Sequence, residues 1–143
     1  MTEAGTKLLL DTHALVWTAA GTIESPAADA IVAAAQAGGV LVSSVSAWEL
    51  GLLARPRQGA PRLRLTPTPE AWFETLLAQA GFIETPLTVK IALAASRLPG
   101  EFHPDPADRL LVATARELDV PIVTRDRRIL DYGEAGHVRT LAC

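Results

Sequence analysis

Four carboxylates stand where a chain can do chemistry. Asp11 directly follows the apolar run KLLL and is followed by Thr12 and His13; Asp126 follows the apolar run PIVT, in TRDRRIL. Glu49 lies in SVSAWELGLL and Asp108 in HPDPADRLLVATA. Each has a plain structural role open to it. Asp11 or Thr12 can cap a helix that runs through Leu15, Val16 and Trp17. Ser46 and Glu49 have the S-x-x-E spacing of a capping box. Asp105 has the features of an N-cap with Pro106 at N1, which places Asp108 at N3, where the helix dipole favours an acid. Asp126 can form a turn or pair with Arg125, Arg127 or Arg128. Singly these acids are unspecific. As a set, two after strands and two in helix first turns can converge above one edge of a parallel sheet. Carboxylates brought that close repel one another and raise their own pKa values unless a cation compensates. Mg²⁺ suits the description, because it takes oxygen ligands, keeps several waters and binds through few carboxylates plus substrate phosphate.

The elements that must position these acids alternate along the chain. KLLLD (7–11), VLVSS (40–44) and PIVT (121–124) are short apolar runs ending in polar residues, as expected of strands buried on both faces of a parallel sheet, and FIET (82–85) and VRTL (138–141) are weaker candidates. Between them lie segments of helical period. Ser25-Pro26 opens one that Gly38-Gly39 closes, and Thr68-Pro69-Glu70 opens another, with Trp72, Phe73, Leu76, Leu77 and Ala80 as its stripe and Gly81 as its stop. Leu87, Ile91, Ala94 and Leu98 form a third stripe, and Asp105-Pro106 opens a helix running to about Leu118. Strands separated by helices imply right-handed crossovers and a three-layer α/β/α domain around a mostly parallel sheet. Ligands in such sheets sit beyond the carboxyl ends of the strands, where Asp11 and Asp126 fall.

Composition agrees. The chain has 143 residues, 49% of them apolar and 20% charged, which is the size of one domain (1–143) with one core and excludes a disordered or fibrous protein. No apolar run approaches the roughly 20 residues that span a bilayer, and MTEAGTK lacks a signal-peptide layout, so a cytoplasmic protein with no membrane partner is expected. The only cysteine, Cys143, excludes an internal disulfide framework and a thiolate metal cluster. Net charge is −3, from 13 basic and 16 acidic residues; setting the four candidate acids aside leaves 12 acidic against 13 basic, which makes a phosphodiester substrate plausible. Eleven of the basic residues are Arg, and Arg55, Arg57, Arg62 and Arg64 lie between Glu49 and Glu70 with no acid among them.

KLLLDTHALVW, SSVSAWELGLL, LPGEFHPDPADRLLVATA and PIVTRDRRIL, in that order, resemble the PIN-domain ribonucleases, specifically the VapC toxins of toxin–antitoxin pairs. The likeness spans essentially the whole chain, and the combination of D-T-H, H-x-D-P-x-D-R and T-x-D is specific. It implies a PIN-like domain and a metal-dependent endoribonuclease. Asp11, Glu49, Asp108 and Asp126 match the family's four acidic positions, which hold Mg²⁺ (or Mn²⁺) and position a water that cuts RNA. Asp11 and Asp108 are then the direct ligands, while Glu49 and Asp126 act through water or a second ion. Thr12 matches a small hydroxyl residue that orients the site. The resemblance also implies a homodimer and a cognate VapB-type antitoxin whose C-terminal segment fills the acidic cleft. One departure is Leu53, four residues after the Glu, where this subgroup often has Lys; Arg55 and Arg57 are candidates to hold the RNA backbone instead. His13 and His103 read as N–H donors that hold loops. Trp17, Trp48 and Trp72 read as core or subunit-interface residues, and Cys143 as inert.

Rival enzymes fit poorly. An aspartyl-nucleophile phosphatase wants a second Asp two residues after the first, where this chain has His13, and a phosphorylated receiver wants a Lys after a late strand, whereas the only lysines are Lys7 and Lys90. The alternative outside enzymes is a catalytically inactive PIN-like module that binds RNA or protein.

Overall fold

The computed structural model describes residues 7–56, 58, 59 and 61–143. Three continuous apolar runs become the middle of a sheet. β1 (Leu8–Leu10), β2 (Val40–Ser43), β3 (Phe82–Thr85), β4 (Ile122–Thr124) and β5 (Thr140–Ala142) lie in the order β3-β2-β1-β4-β5, and every pairing is parallel. Leu8 and Leu10 point into one core and Leu9 into the other, so β1 is apolar at every position because both of its faces are covered.

Helices cover both faces. α1 (Thr12–Ala20), α2 (Ala27–Gln36) and α4 (Pro69–Leu77), together with Leu50 of α3 (Ser44–Ala54), pack on the side of Leu8, Leu10, Val40 and Val42. α5 (Val89–Ser96), α6 (Pro106–Leu118) and α7 (Arg127–Glu134) pack on the side of Leu9, Leu41 and Ile122. Leu9, Leu10, Leu15, Leu50, Leu76 and Leu111 are wholly enclosed; each such side chain contributes roughly 1.5–3 kcal/mol on leaving water. This is the three-layer α/β/α arrangement expected, with a sheet that is parallel throughout.

Some boundaries differ from expectation. Thr140, not Val138, begins β5, because Val138 is buried in the core beside Tyr132 while the Arg139 carbonyl accepts from Ile122 N–H to start the ladder. α5 begins at Val89, where Thr88 caps it by accepting from Ile91 N–H at 3.1 Å; Leu87 lies before the helix, exposed. α4 ends at Leu77, and the chain turns through Gly81 at φ +88°, where a Cβ would meet the Ala35 carbonyl oxygen at 2.0 Å. Among the described residues, no helix is long and apolar enough to cross a membrane.

The strand order places β1 between β2 and β4. The chain winds outward through β2 and β3, then returns past β1 to β4 and β5. The crevice of such a sheet opens where the winding reverses, beyond the carboxyl ends of β1 and β4.

Candidate active site

Asp11 leaves β1 at that crevice and caps α1, its Oδ1 accepting from Ala14 N–H at 2.8 Å. The residue is only 7% exposed. Burial raises its pKa and the neighbouring Asp126 pushes the same way, while the Thr124 hydroxyl, the Ala14 amide and His13 oppose the rise. Thr124 is completely buried at the end of β4 and ties two acids together, since its Oγ1 also accepts from Asp126 N–H at 3.0 Å.

The capping-box reading of Ser46 and Glu49 is wrong. β2 runs directly into α3, so the cap is Ser43, which accepts from Val45 N–H at 3.0 Å, and Glu49 lies well inside the helix. One turn apart on the inner face of α3, Ser46 and Glu49 both meet Thr12: the Thr12 hydroxyl donates to Glu49 Oε1 and stands 3.0 Å from Ser46 Oγ. A hydroxyl has one proton, so while Glu49 takes it from Thr12, Ser46 donates in turn to Thr12. Burial raises the Glu49 pKa; the Thr12 bond opposes this, and Asp105 and Asp11 add to it.

The N-cap reading of Asp105 holds: its Oδ2 accepts from Asp108 N–H at 3.1 Å, with Pro106 in the first turn. Asp105 nevertheless lines the same cavity as the other acids, a fifth carboxylate that capping had seemed to explain fully. Asp108 is the most perturbed. Its pKa rises from 3.8 to about 7, first through burial and then through Asp105, Asp126 and Glu49, with Arg128 opposing from 3.7 Å. Asp126 caps α7 through bonds from Arg128 and Ile129 N–H. Burial would raise its pKa, but the Arg128 side chain at 3.3 Å and these amides outweigh that and lower it.

Asp11, Thr12, Glu49, Asp105, Asp108 and Asp126 thus line one cavity of about 420 Å³, with His13, Trp17, Arg125 and Arg128 on its rim. A larger hollow of about 680 Å³ lies by the opposite ends of β4 and β5, where Arg116 and Arg139 already bond to the His137 and Asp119 carbonyls. It holds no carboxylate cluster.

Other expectations are revised. Neither His13 nor His103 donates a hydrogen bond to another described residue. His103 Nε2 approaches Asp108 Oδ2 at 3.1 Å but outside hydrogen-bonding geometry; burial and Arg128 lower the His103 pKa, so the ring faces the acid neutral. Trp72 packs against the core, as does part of Trp17, whereas Trp48 is 55% exposed and is no core residue. Arg55 caps the far end of α3, exposed and outside the cavity lining, and Arg57 lies outside the described residues. Leu53 packs against the core, and the basic groups at the cavity are Arg125 and Arg128. Their signal in the sequence was present, since TRDRRIL puts three arginines beside Asp126.

Among the described residues, no three His, Cys, Asp or Glu side chains stand close enough together to ligate an ion at once. The donor set still fits a hard cation that keeps most of its water, because Mg²⁺ needs only one or two carboxylates directly and leaves the others to hold its hydration shell. A partly buried carboxyl held at about 7 by burial first and by its acidic neighbours next is what such a cation would relieve.

The PIN domain family matches residues 8–135. Ribonuclease VapC22 of Mycobacterium tuberculosis (strain ATCC 25618 / H37Rv) is 34% identical over 129 residues, which is 89% of this chain and 92% of that protein. Among solved structures, VapBC2 from Rickettsia felis bound to a promoter DNA fragment superposes with a TM-score of 0.67 at 13% identity, covering 94% of this chain and 97% of its counterpart. DNA-bound VapBC from Salmonella typhimurium gives 0.65 at 15%, covering 95% and 97%. The family match and the VapC22 likeness place this chain in the PIN-domain family, among its VapC-type members.

Proposed function

We propose that this chain is a metal-dependent endoribonuclease, the toxin of a toxin–antitoxin pair, which hydrolyses RNA phosphodiester bonds at Asp11, Glu49, Asp108 and Asp126. The observation that carries this is the meeting of these four acids in one cavity at the reversal point of a parallel sheet. Its VapC22 relative bears the name of a ribonuclease, and its structural neighbours are VapBC complexes.

Each residue has a task that follows from its surroundings. Asp11 and Asp108 would hold Mg²⁺ or Mn²⁺ directly, because burial raises the pKa of both carboxyls, Asp108 to about 7, and a bound cation favours their charged form. Glu49 and Asp126 hold water from opposite walls; Thr12 fixes the Glu49 carboxylate and Arg128 fixes Asp126. When bound, the cation would supply positive charge that makes a water acidic and screens the phosphate as negative charge grows in the transition state. The attacking group is water, because the hydroxyls beside the acids are engaged, Thr12 and Ser46 with each other and with Glu49, and Thr124 with Asp11 and the Asp126 amide. The products are a 5′-phosphate and a 3′-hydroxyl. Arg55, which caps the C-terminal end of α3 beyond Glu49, holds the RNA backbone, a task proposed also for Arg57.

The protein is proposed to act in the cytoplasm as a homodimer, a state supported by the exposed apolar side chains of Trp48, Leu87, Val89 and Leu93, and to be held inactive by a VapB-type antitoxin in the acidic cavity. The test is cleavage of total RNA by the purified chain with Mg²⁺, Mn²⁺ or EDTA, with ends mapped. Cleavage with metal that fails in EDTA and in Asp108→Asn is the expected result. Binding of RNA without cleavage under every metal condition would replace the enzyme with an inactive binding module.

A further inference from the structure

A cavity walled by five carboxylates repels the polyanion it is meant to cut, so something at its rim must draw RNA in. Of the two rim arginines, Arg128 is committed to carboxylates, lying 3.3 Å from Asp126 and 3.7 Å from Asp108. Arg125 is not. Its guanidinium carbon stands 3.7 Å above the ring centre of Trp17, its Nε donates to the Cys143 carbonyl at 3.2 Å, and no carboxylate side chain among the described residues pairs with it.

We propose that Trp17 and Arg125 form a substrate subsite that receives the backbone phosphate of a nucleotide flanking the scissile bond; this rests on the ribonuclease reading above. The pair is built by three elements. Trp17 lies on α1, one turn after His13 on the same face, and packs its inner edge against the core. Arg125 follows β4, the strand beside β1, so its side chain reaches across to α1 next to Asp11. The aromatic face holds the guanidinium flat and fixes one of its rotamer-rich torsions in advance. With Nε on the Cys143 carbonyl and the Cys143 thiol also hydrogen-bonded to the guanidinium, the remaining N–H groups of the fork are left for two phosphate oxygens. Arg125 is an exposed residue, so the ribose and base of the same nucleotide can approach it from solvent. Arg125 thereby supplies the basic contact that Leu53 does not.

The test uses the full chain carrying Asp108→Asn to block cleavage, a fluorescent single-stranded oligoribonucleotide of mixed sequence, and Mg²⁺ at a series of salt concentrations. Arg125→Ala is expected to weaken binding about tenfold and to reduce the slope of log affinity against log salt by about 0.7, the share of one phosphate contact on a single strand. Arg125→Lys restores the slope but only part of the affinity, since an ammonium does not lie flat on an indole. Trp17→Leu keeps the core contact, retains the slope and loses affinity. In the cleavage-competent chain, Arg125→Ala raises KM more than it lowers kcat. Equal affinity and slope in Arg125→Ala and its parent would overturn the subsite. So would unchanged RNA binding combined with weakened association with the antitoxin, which would assign the pair to a protein partner. Failure of the unsubstituted chain to cleave any RNA with metal would instead sink the proposed function, and is read from a separate assay.

Discussion

Replacing Asp108 with Asn tests the electrostatics of the cavity apart from its chemistry. In the native chain without metal this carboxyl keeps its proton to about pH 7, against 3.8 ordinarily. In the unfolded chain it loses the proton near the ordinary value. Between those limits the native state binds more protons than the unfolded state, so stability falls as pH rises from about 4 to about 7. The gap of about three pH units, at ~1.4 kcal/mol each, gives a ceiling of about 4 kcal/mol of native-state penalty at pH 8. Asn carries no charge and removes the penalty. For 143 residues, 1 kcal/mol moves Tm by about 3 °C, so Asp108→Asn in EDTA is expected to melt up to about 12 °C above wild type at pH 8 and close to it at pH 4. Added Mg²⁺ reverses the order at pH 8, raising the wild type while leaving the variant nearly unmoved. The assay is a thermal scan followed by circular dichroism at both pH values, with EDTA or Mg²⁺. Parallel pH profiles for the two proteins, or equal responses to Mg²⁺, would refute the reasoning that burial and the neighbouring carboxylates keep Asp108 protonated and that a cation releases it.

Three further outcomes follow from the same geometry. Thr12→Val leaves Glu49 buried without its hydroxyl donor and Ser46 without its acceptor; a loss of about 1–3 kcal/mol in urea unfolding is expected, with Thr12→Ser recovering most of it. Arg128→Ala removes the cation that lowers the Asp126 pKa and opposes the rise at Asp108, so carboxyl titrations followed by NMR should move upward at both residues; unchanged titrations would show that Arg128 does not act there. Gly81→Ala forces an L side chain into φ +88° against the Ala35 carbonyl, and its cost of several kcal/mol, read as a lowered Tm, should be independent of metal.

What the sequence disclosed divides along physical lines. The central strands were legible because burial on both faces makes Leu8 to Leu10 and Val40 to Val42 continuously apolar, a pattern that partial exposure would have broken. Cap residues were legible where Pro followed Asp105 or Thr68. Only the capping-box alternative for Glu49 failed: Ser46 supplies a local pattern identical to a cap, but the direct junction of β2 with α3 moves the true cap back to Ser43. The stack of Arg125 on Trp17 was not legible, since it joins residues that only the β1–β4 pairing brings together. Arg125 and Arg128 looked alike in TRDRRIL; their side chains differ because Arg128 enters α7 beside its own cap, whereas Arg125 lies before it.

Asp11, Asp105 and Asp126 are each the N-cap of a helix, α1, α6 and α7, and each gives an oxygen to that helix's first turn. Capping fixes the carboxylate rather than consuming it, because a carboxylate has about four acceptor sites and the amide uses one. The helix N-terminus also favours the negative form, which counters part of the repulsion in a crowded cavity. Glu49 and Asp108 lie inside helices and accept no backbone N–H, and both are raised, Asp108 most of all. Three helix ends therefore fix three of the carboxylates in position, although burial still raises Asp11, and Asp108, raised furthest, is the carboxyl whose ionisation a bound cation would most reward. Capping and a place in the cavity are therefore not alternatives at Asp11, Asp105 and Asp126, since one oxygen bound to the helix fixes the carboxylate while its remaining acceptor sites stay open.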